Sequence, residues 1–284
     1  MIARLAPVVA MLALGGCAQI LGLDSTKLDR KDAATDAPSV CDTPAVACNA
    51  SSGRTVCGQL VTVSTGEPFR VAAPLGQPCS TTEGPCGVTV FGQPMTSFYQ
   101  GVPAGRVTAQ LDDCGHFAIA DLDATAMDLA VAVSGPDLAA SGRLLLDQTA
   151  LVVTGIKVGL VPLTTVSAWA TQLGIAESNL ATGYLVSYLT AAGDPVPMEE
   201  VRIAGAPVGG PPTVPWARYF TGVFDTLDST LTATGAGGTV FIAPPSGTFR
   251  IGGFHIGKQC FRDGFQAVSN TLLSVALGGV APGC

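Results

Sequence analysis

The sequence has few charged residues, few aromatic residues and only two histidines. Charged residues make up 12% of its 284 residues and aromatic residues 6%. Solubility must therefore rest on Thr, Ser, Gln and Asn, which favours many short strands and turns over helices with charged faces. The net charge of −7 argues against nucleic acid as a partner, because nucleic acid selects for basic surfaces.

The two histidines leave little material for a catalytic or metal centre, since hydrolytic triads and metal sites usually hold a histidine in a fixed polar setting. His116 follows a predicted hairpin turn and His255 lies between Phe254 and Ile256. We interpret them as a surface side chain and a strand side chain. The sequence also contains neither G-x-S-x-G nor H-E-x-x-H. We predict no enzyme activity, no metal site and no cofactor.

The first residues have the pattern of an export signal. Arg4 precedes an apolar run from Leu5 to Leu14, and Leu14-Gly15-Gly16-Cys17 closes it. About ten apolar residues are too few to span a bilayer but fit the apolar segment of a secretion signal. The quartet resembles the lipobox of bacterial lipoproteins. The resemblance implies that residues 1–16 are removed and that Cys17 carries acyl chains on its sulfur and its amine, which together anchor a protein stably.

The same resemblance bears on location. Ala18 stands where an Asp would retain a lipoprotein in the inner membrane of enteric bacteria. We therefore expect the outer membrane, with the protein facing the periplasm or the cell surface and contacting the membrane through its acyl chains. Residues 17–40 mix acidic, basic and small polar side chains without apolar periodicity, so we interpret them as a flexible tether.

Eight cysteines remain when Cys17 is set aside, and an even number in an exported chain indicates disulfides. A zinc site would need cysteines two residues apart or histidines nearby, and neither is present. Cys260 and Cys284 are the two cysteines in the last half of the chain, so we predict that they pair. The pairing among the remaining six stays open: Cys41, Cys48, Cys57, Cys79, Cys86 and Cys114.

The chain repeats once, at a separation of about 125 residues. Gly58-Gln59-Leu60-Val61, followed by Gly66-Glu67-Pro68, matches Gly183-Tyr184-Leu185-Val186, followed by Gly193-Asp194-Pro195. Each motif indicates a strand, a turn and a second strand. Later in each half, a hairpin turn at Asp113-Cys114-Gly115 or Gly237-Gly238 precedes another strand. The order indicates a duplicated fold, and a chance match in this Gly-, Ala-, Thr- and Val-rich sequence is the alternative.

One helix is predicted between the halves. Val166, Trp169, Ala170 and Leu173 recur at helical spacing from Thr164 to Leu173, and Gly174 ends the pattern. We expect the helix to lie between the halves, with the ring of Trp169 buried against one of them.

The strand and turn motifs resemble the carboxypeptidase regulatory-like domain over residues 56–134 and 182–256. With the lipobox and Ile20-Leu21-Gly22-Leu23-Asp24, the chain is also similar to lipoproteins of myxobacteria. The resemblance implies an all-β protein of two seven-stranded Ig-like or transthyretin-like sandwiches, joined by a segment with one short helix. The expected domains cover residues 41–162 and 182–284, and residues 163–181 connect them.

Two groups of side chains could form ligand sites. Trp216, Tyr219 and Phe220 are aromatic residues in a Pro-rich stretch, and they either form a ligand surface or close one end of the sandwich core. Four aspartates flank one hairpin, and they either bind calcium or, as we favour, support their own turns. These four are Asp112, Asp113, Asp121 and Asp123.

The sequence thus predicts a non-enzymatic, lipid-anchored protein of the cell envelope that serves adhesion, scaffolding or ligand capture. Its expected partner, beyond the membrane, is an envelope protein or a polysaccharide. A carbohydrate-binding accessory lipoprotein that uses Trp216 and Tyr219 is the alternative, and it requires those rings to be exposed. A hydrolase would require a histidine in a pocket with Asp and with Ser or Thr.

Overall fold

The computed structural model describes residues 44, 46–63, 66, 68–69, 87–189, 195–203, 206–207, 217–221, 227–228 and 239–278. The chain divides into two compact units, Met1–Asp42 and Thr43–Cys284, and every described residue belongs to the second unit. Cys17, Trp216 and Cys284 lie outside the described residues, as do the signal peptide and the tether.

Nine strands and one short helix are described before the predicted connector. The strands are β1 (Arg54–Thr62), β2 (Thr89–Pro94), β3 (Val107–Thr108), β4 (Gln110–Leu111), β5 (His116–Leu122), β6 (Leu129–Ser134), β7 (Leu138–Ala139), β8 (Ser141–Leu145) and β9 (Val152–Pro162). The helix α1 (Met95–Tyr99) follows β2 directly.

A longer helix, α2 (Leu163–Leu173), and a 3-10 turn (Glu177–Asn179) lead into the second half. The strands described there are β10 (Gly183–Leu189), β11 (Pro195–Val196), β12 (Glu200–Ile203), β13 (Ala206–Pro207), β14 (Ala217–Phe220), β15 (Leu227–Asp228), β16 (Thr239–Ile242), β17 (Thr248–His255), β18 (Lys258–Gln266) and β19 (Leu272–Gly278). The protein is all-β and sandwich-like, as predicted.

The strands form three sheets. The first sheet has the order β4-β5-β1-β9-β7, and the third has the order β13-β12-β17-β18. Between them lies a ten-stranded sheet in the order β15-β14-β16-β10-β19-β8-β6-β2-β3, with β11 also paired to β10. In this large sheet β8 pairs in parallel with β19, from Ser141 beside Leu272 to Leu144 beside Val275. One sheet therefore runs through both halves of the chain.

Strand pairing repeats between the halves. β1 lies antiparallel to β5 and parallel to β9, and β10 lies antiparallel to β16 and parallel to β19. The antiparallel series β2-β6-β8 likewise corresponds to β12-β17-β18. After each first strand the chain folds back at the predicted proline, since Pro68 bridges Val61 and Pro195 pairs with Leu189. The predicted equivalence of the two first strands is confirmed.

Of the two later turns, only the one in the first half lies within the described residues. Gly115 has a φ of 75° and its N–H donates to the carbonyl oxygen of Asp112 at 3.0 Å, which closes the predicted turn between β4 and β5. The corresponding Gly237-Gly238 lies outside the described residues.

Three apolar cores hold the sheets together. The first lies between the first sheet and the β2-β6-β8 part of the large sheet, and includes Leu60, Phe117 and Val131. The second lies between the third sheet and the large sheet, and it includes Ala130 and Ala132 of β6 together with residues of the second half. Neighbouring residues of a strand point to opposite faces. β6 is therefore buried on both faces, against one core on each side.

Helix α2 covers the third core, which combines Val63 and Val161 of the first half with residues of β10, β14, β16 and β19. The helix begins one residue before the predicted Thr164 and ends at Gly174, whose φ of 64° is the left-handed conformation that glycine adopts easily. The ring of Trp169 is buried and meets the ring of Phe220 edge-on at 5.3 Å. The ring is buried as predicted, but it packs against residues of both halves rather than of one.

Candidate functional site

A polar row crosses the middle of the first sheet. Gln59 of β1 lies directly opposite His116 of β5 on one side and opposite Lys157 of β9 on the other. The next residues along each strand, Leu60, Phe117 and Val158, point into the first core. Because side chains alternate along a strand, the three polar side chains lie on the face that points away from this core.

The row borders a pocket of about 450 Å³ on that face. Part of its wall is the chain segment that leads into β1, which contributes Pro44 and Val46. The remaining lining residues come from β1, β5 and β9: Cys48 with its partner Cys57, Gly58, Gln59, His116, Phe117, Thr154, Gly155, Ile156 and Lys157. A pocket of this size, largely apolar and with a few polar groups, is typical of small-molecule sites.

A disulfide between Cys48 and Cys57 attaches the wall segment to β1. The hydroxyl group of Thr55 adds a hydrogen bond to the carbonyl oxygen of Asn49 at 2.9 Å. This resolves one of the pairings that the sequence left open. Cys114 and Cys260 are also disulfide-bonded, to cysteines outside the described residues. The predicted bridge between Cys260 and Cys284 stays a prediction.

His116 is not the surface side chain that the sequence suggested, because it is only 9% exposed. Its Nδ1 lies 3.0 Å from Oδ2 of Asp112. The other carboxylate oxygen, Oδ1, accepts the backbone N–H groups of Cys114 at 3.0 Å and of His116 at 2.8 Å. Asp112 therefore fixes the turn and the imidazole together, and with Asp112 ionised Nδ1 carries a proton. Within the described part of the chain, Nε2 has no hydrogen-bond partner.

The other two members of the row also have unused polar groups. The amide nitrogen of Gln59 donates to the carbonyl oxygen of Cys114 at 3.4 Å, and this leaves its amide oxygen without a partner among the described residues. Lys157 is exposed and forms no ion pair with any residue that the structure describes. The pocket thus offers an imidazole nitrogen, an amide oxygen and an ammonium group to a ligand.

The geometry supports binding better than hydrolysis. A serine- or threonine-type hydrolase needs a hydroxyl group within hydrogen-bond reach of its base. Thr154 lines the pocket, but over the described ranges no side-chain hydroxyl is hydrogen-bonded to His116.

The predicted aromatic ligand surface is corrected by the structure. Tyr219 is 1% exposed and Phe220 is 0% exposed, so neither ring can stack on a sugar. Tyr219 belongs to the second core and Phe220 to the third. These two rings complete the cores, which was the other interpretation of the cluster, and Trp216 lies outside the described residues.

His255 is a strand side chain, as expected. Its Nδ1 lies 2.7 Å from the carbonyl oxygen of Pro197, and its ring lies 5.8 Å from that of Tyr188.

Hydrogen bonds engage three of the four aspartates around the hairpin: Asp112 and Asp123 within their own turns, and Asp121 with the segment before β1. Asp121 accepts the hydroxyl group of Ser52 at 2.7 Å, and Asp123 accepts both the hydroxyl group and the N–H group of Thr125 at 2.7 and 2.8 Å. These hydrogen bonds hold the pKa values of both carboxyls below the ordinary value. Among the described residues, no group of three or more potential metal ligands is present.

Sequence reasoning missed the pocket, although two of its signals were visible. Asp112 and His116 are four residues apart across a predicted hairpin turn, which places a carboxylate beside an imidazole. Cys48 and Cys57 lie close in sequence and fold the segment before β1 back onto that strand. Neither signal showed that β9 would bring Lys157 beside β1, because that pairing joins residues about 100 positions apart.

None of the described helices has the length and apolar character needed to span a membrane.

No known protein family and no curated protein matches the sequence. Weak likenesses to solved structures include a streptococcal ancillary pilin, at 10% identity and a TM-score of 0.23, over 79% of this chain and 68% of the pilin. The Bacillus anthracis TIE protein gives 11% identity and a TM-score of 0.22 over 80% of this chain, which spans about a third (34%) of that protein. The shaft pilin SpaA of Lactobacillus rhamnosus GG, solved as a mutant, gives 11% identity and a TM-score of 0.22, over 81% of this chain and 99% of the pilin. These likenesses are too weak to transfer a function.

Proposed function

We propose that the protein is a non-enzymatic, lipid-anchored protein of the cell envelope that captures a small ligand in the pocket beside the Cys48–Cys57 disulfide. The observation that carries the proposal is the buried imidazole of His116, which Asp112 orients on one side and which borders the pocket with no partner on Nε2 in the described structure. The ring nitrogen that Asp112 does not engage is therefore available to hydrogen-bond a ligand in the pocket.

Lipid anchoring in the outer membrane is the part of the proposal that rests on the lipobox-like quartet ending at Cys17. Replacing Cys17→Ser should give a protein that carries no acyl chain and leaves the membrane fraction. A variant in the tether, Ser25→Ala, keeps the quartet intact and serves as the control. If Cys17→Ser still fractionates with membranes and still carries a lipid by mass spectrometry, the anchor is assigned wrongly.

Ligand capture can be tested by filling the pocket. Thr154 is exposed and lines it, so Thr154→Trp should block the pocket without disturbing a core. Native mass spectrometry of the protein released from envelopes should show a small molecule on the native chain and none on Thr154→Trp. Thr108→Trp, at an exposed position that does not line the pocket, is the matched control. An equal ligand content in all three proteins would rule out capture at this site.

The same proteins test the absence of catalysis. We expect the hydrolysis of p-nitrophenyl acetate by the native chain to equal that of His116→Gln. Faster hydrolysis by the native chain, lost in His116→Gln, would instead support an envelope hydrolase.

Scaffolding is the second candidate function, and the continuous sheet favours it. The parallel pairing of β8 with β19 and the second core, which β6 shares with the second half, join the halves through hydrogen bonds and packing. Such a unit resists bending between its halves far better than two domains on a linker. Scaffolding predicts an envelope protein as partner, which crosslinking in intact cells would identify on both the native chain and Thr154→Trp.

A further inference from the structure

The charges around the pocket indicate which kind of ligand it accepts. Lys157 contributes a positive charge that no described carboxylate neutralises. The charge on Asp112 is already directed at His116 and at two backbone N–H groups of its turn. The unbalanced charge of the described lining residues is therefore positive, although the whole chain has a net charge of −7.

Two of the three polar groups, the ring of His116 and the ammonium group of Lys157, can also bind an anion. His116 and Lys157 flank Gln59 in one row, so a ligand placed over Gln59 lies between two nitrogen groups. In its protonated form the ring, with Nδ1–H directed at Asp112, presents Nε2–H as a donor. The Nε2–H group of the imidazolium can then donate to the anion while the ammonium group of Lys157 pairs with it.

The rest of the lining is apolar. Pro44 and Val46 provide aliphatic surface, and the Cys48–Cys57 disulfide adds to it. A volume of about 450 Å³ exceeds what a bare inorganic anion needs, so most of a ligand would contact these groups. The pocket therefore matches a molecule with an anionic end and an apolar body.

We infer that the pocket binds a small carboxylate with an apolar body, with the carboxylate held by Lys157 and His116 and the body against Val46 and the Cys48–Cys57 disulfide. This inference rests on the proposed ligand capture and adds the chemical class of the ligand.

Three probes separate the contribution of the carboxylate from that of the apolar body. Octanoate has both the carboxylate and the apolar body, octan-1-ol has only the body, and acetate has only the carboxylate. By isothermal titration calorimetry of the folded, disulfide-intact protein, we expect octanoate to bind at least about tenfold more tightly than either of the others. Tenfold corresponds to about 1.4 kcal/mol, which is within the range of one charge-assisted hydrogen bond.

Variants of Lys157 test the assignment of the charge. Lys157→Gln should weaken octanoate binding about tenfold and leave octan-1-ol binding unchanged, and Lys157→Arg should restore octanoate binding because it restores the charge. Lys258→Gln removes an exposed lysine at the β17–β18 turn, outside the pocket lining, and should change nothing. The imidazole nitrogen signals of His116 in ¹⁵N NMR should move on addition of octanoate and stay in place with acetate.

The outcomes distinguish this inference from the proposed function. If octan-1-ol binds as tightly as octanoate, or if Lys157→Gln binds octanoate as tightly as the native chain, the carboxylate assignment is wrong while ligand capture stands. If octanoate does not bind at all although native mass spectrometry finds a captured molecule, the ligand class is again wrong. If native mass spectrometry finds no captured molecule and no probe binds, both fail.

Discussion

The repeated strand pairing predicts that a glycine is required at the same place in both halves. Gly58 begins the repeated motif in β1 and Gly183 begins it in β10. A Cβ atom on Gly183 would lie 2.1 Å from Cε2 of Phe241 in β16. A Cβ atom on Gly58 would lie 2.7 Å from Cζ of Phe117 in β5 and 2.0 Å from the carbonyl oxygen of Ile156 in β9. In both halves the first strand thus passes under a phenylalanine of its antiparallel neighbour.

The expected loss of stability on replacing either glycine with alanine follows from these distances. Real Cβ atoms essentially never approach another heavy atom within 3.0 Å, so Gly183→Ala would force the ring of Phe241 to move by about 1 Å. Phe241 is fully buried in the third core, where packing leaves little room for this shift. Overpacking of a core costs about 1–3 kcal/mol, and we expect the upper end for Gly183→Ala and at least as much for Gly58→Ala, where a backbone atom is the obstacle.

Urea unfolding followed by far-UV circular dichroism measures these changes. Gly159 of β9 is the control, because a Cβ atom there would meet Val63 at 3.4 Å, an ordinary contact. Gly159→Ala should change stability by less than about 1 kcal/mol. Adding Phe241→Leu to Gly183→Ala should recover about 1–2 kcal/mol relative to the sum of the two single changes. Adding Phe117→Leu to Gly58→Ala should recover less, since the carbonyl oxygen of Ile156 remains.

The reasoning would be refuted if Gly183→Ala were no more destabilising than Gly159→Ala, because the ring of Phe241 could then not lie over β10. Additive effects of Gly183→Ala and Phe241→Leu would contradict the same contact.

Three further predictions concern other parts of the chain. Trp169→Ala should lower the free energy of unfolding by about 3–5 kcal/mol because it empties the centre of the third core, whereas Trp169→Phe should cost less; an effect under 1 kcal/mol would show that α2 does not pack there. Peptide mapping without reduction should recover Cys260 joined to Cys284, and Cys260 joined to any other cysteine would contradict this pairing. Burial raises the pKa of Tyr99 to about 12, so its neutral form stabilises the fold below pH 10 and this contribution is lost as the pH rises towards 12. Tyr99→Phe should therefore be less sensitive to unfolding between pH 10 and 12 than the native chain, and an unchanged pH dependence would contradict it.

Much of the fold was predictable because local signals and tertiary structure agree. Val-, Leu- and Thr-rich runs ended by Gly, acid and Pro became β1 and β10, and helical spacing ended by Gly174 became α2. Turn residues act through their own backbone geometry, so they need no distant partner to take effect. This is why the first strand of each half, the turn that follows it and helix α2 could be predicted from one sequence.

The pocket was not predictable because its polar row depends on pairing between distant strands. Gln59 meets His116 and Lys157 only after β5 and β9 have docked on either side of β1. The sequence around His116 correctly indicated a turn, and a residue next to a turn is usually exposed. The segment from Pro44 to Cys48 borders the same pocket as His116 because the Cys48–Cys57 disulfide attaches it to β1, and the sequence left the pairing of these two cysteines open.

Tyr219 and Phe220 show that packing between the halves determines which strand residues are exposed. In a sandwich that stands alone, one of two neighbouring strand residues points to the core and the other to solvent. On that basis either Tyr219 or Phe220 would be available to a ligand. In this chain α2 covers the outer face of the large sheet, so Tyr219 enters the second core and Phe220 enters the third. The sequence Leu-Ala-Val-Ala-Val of β6 is uniformly apolar for the same reason, since the second half covers the face that would otherwise be exposed. Removing the second half would thus expose the apolar face of β6 that Ala130 and Ala132 form.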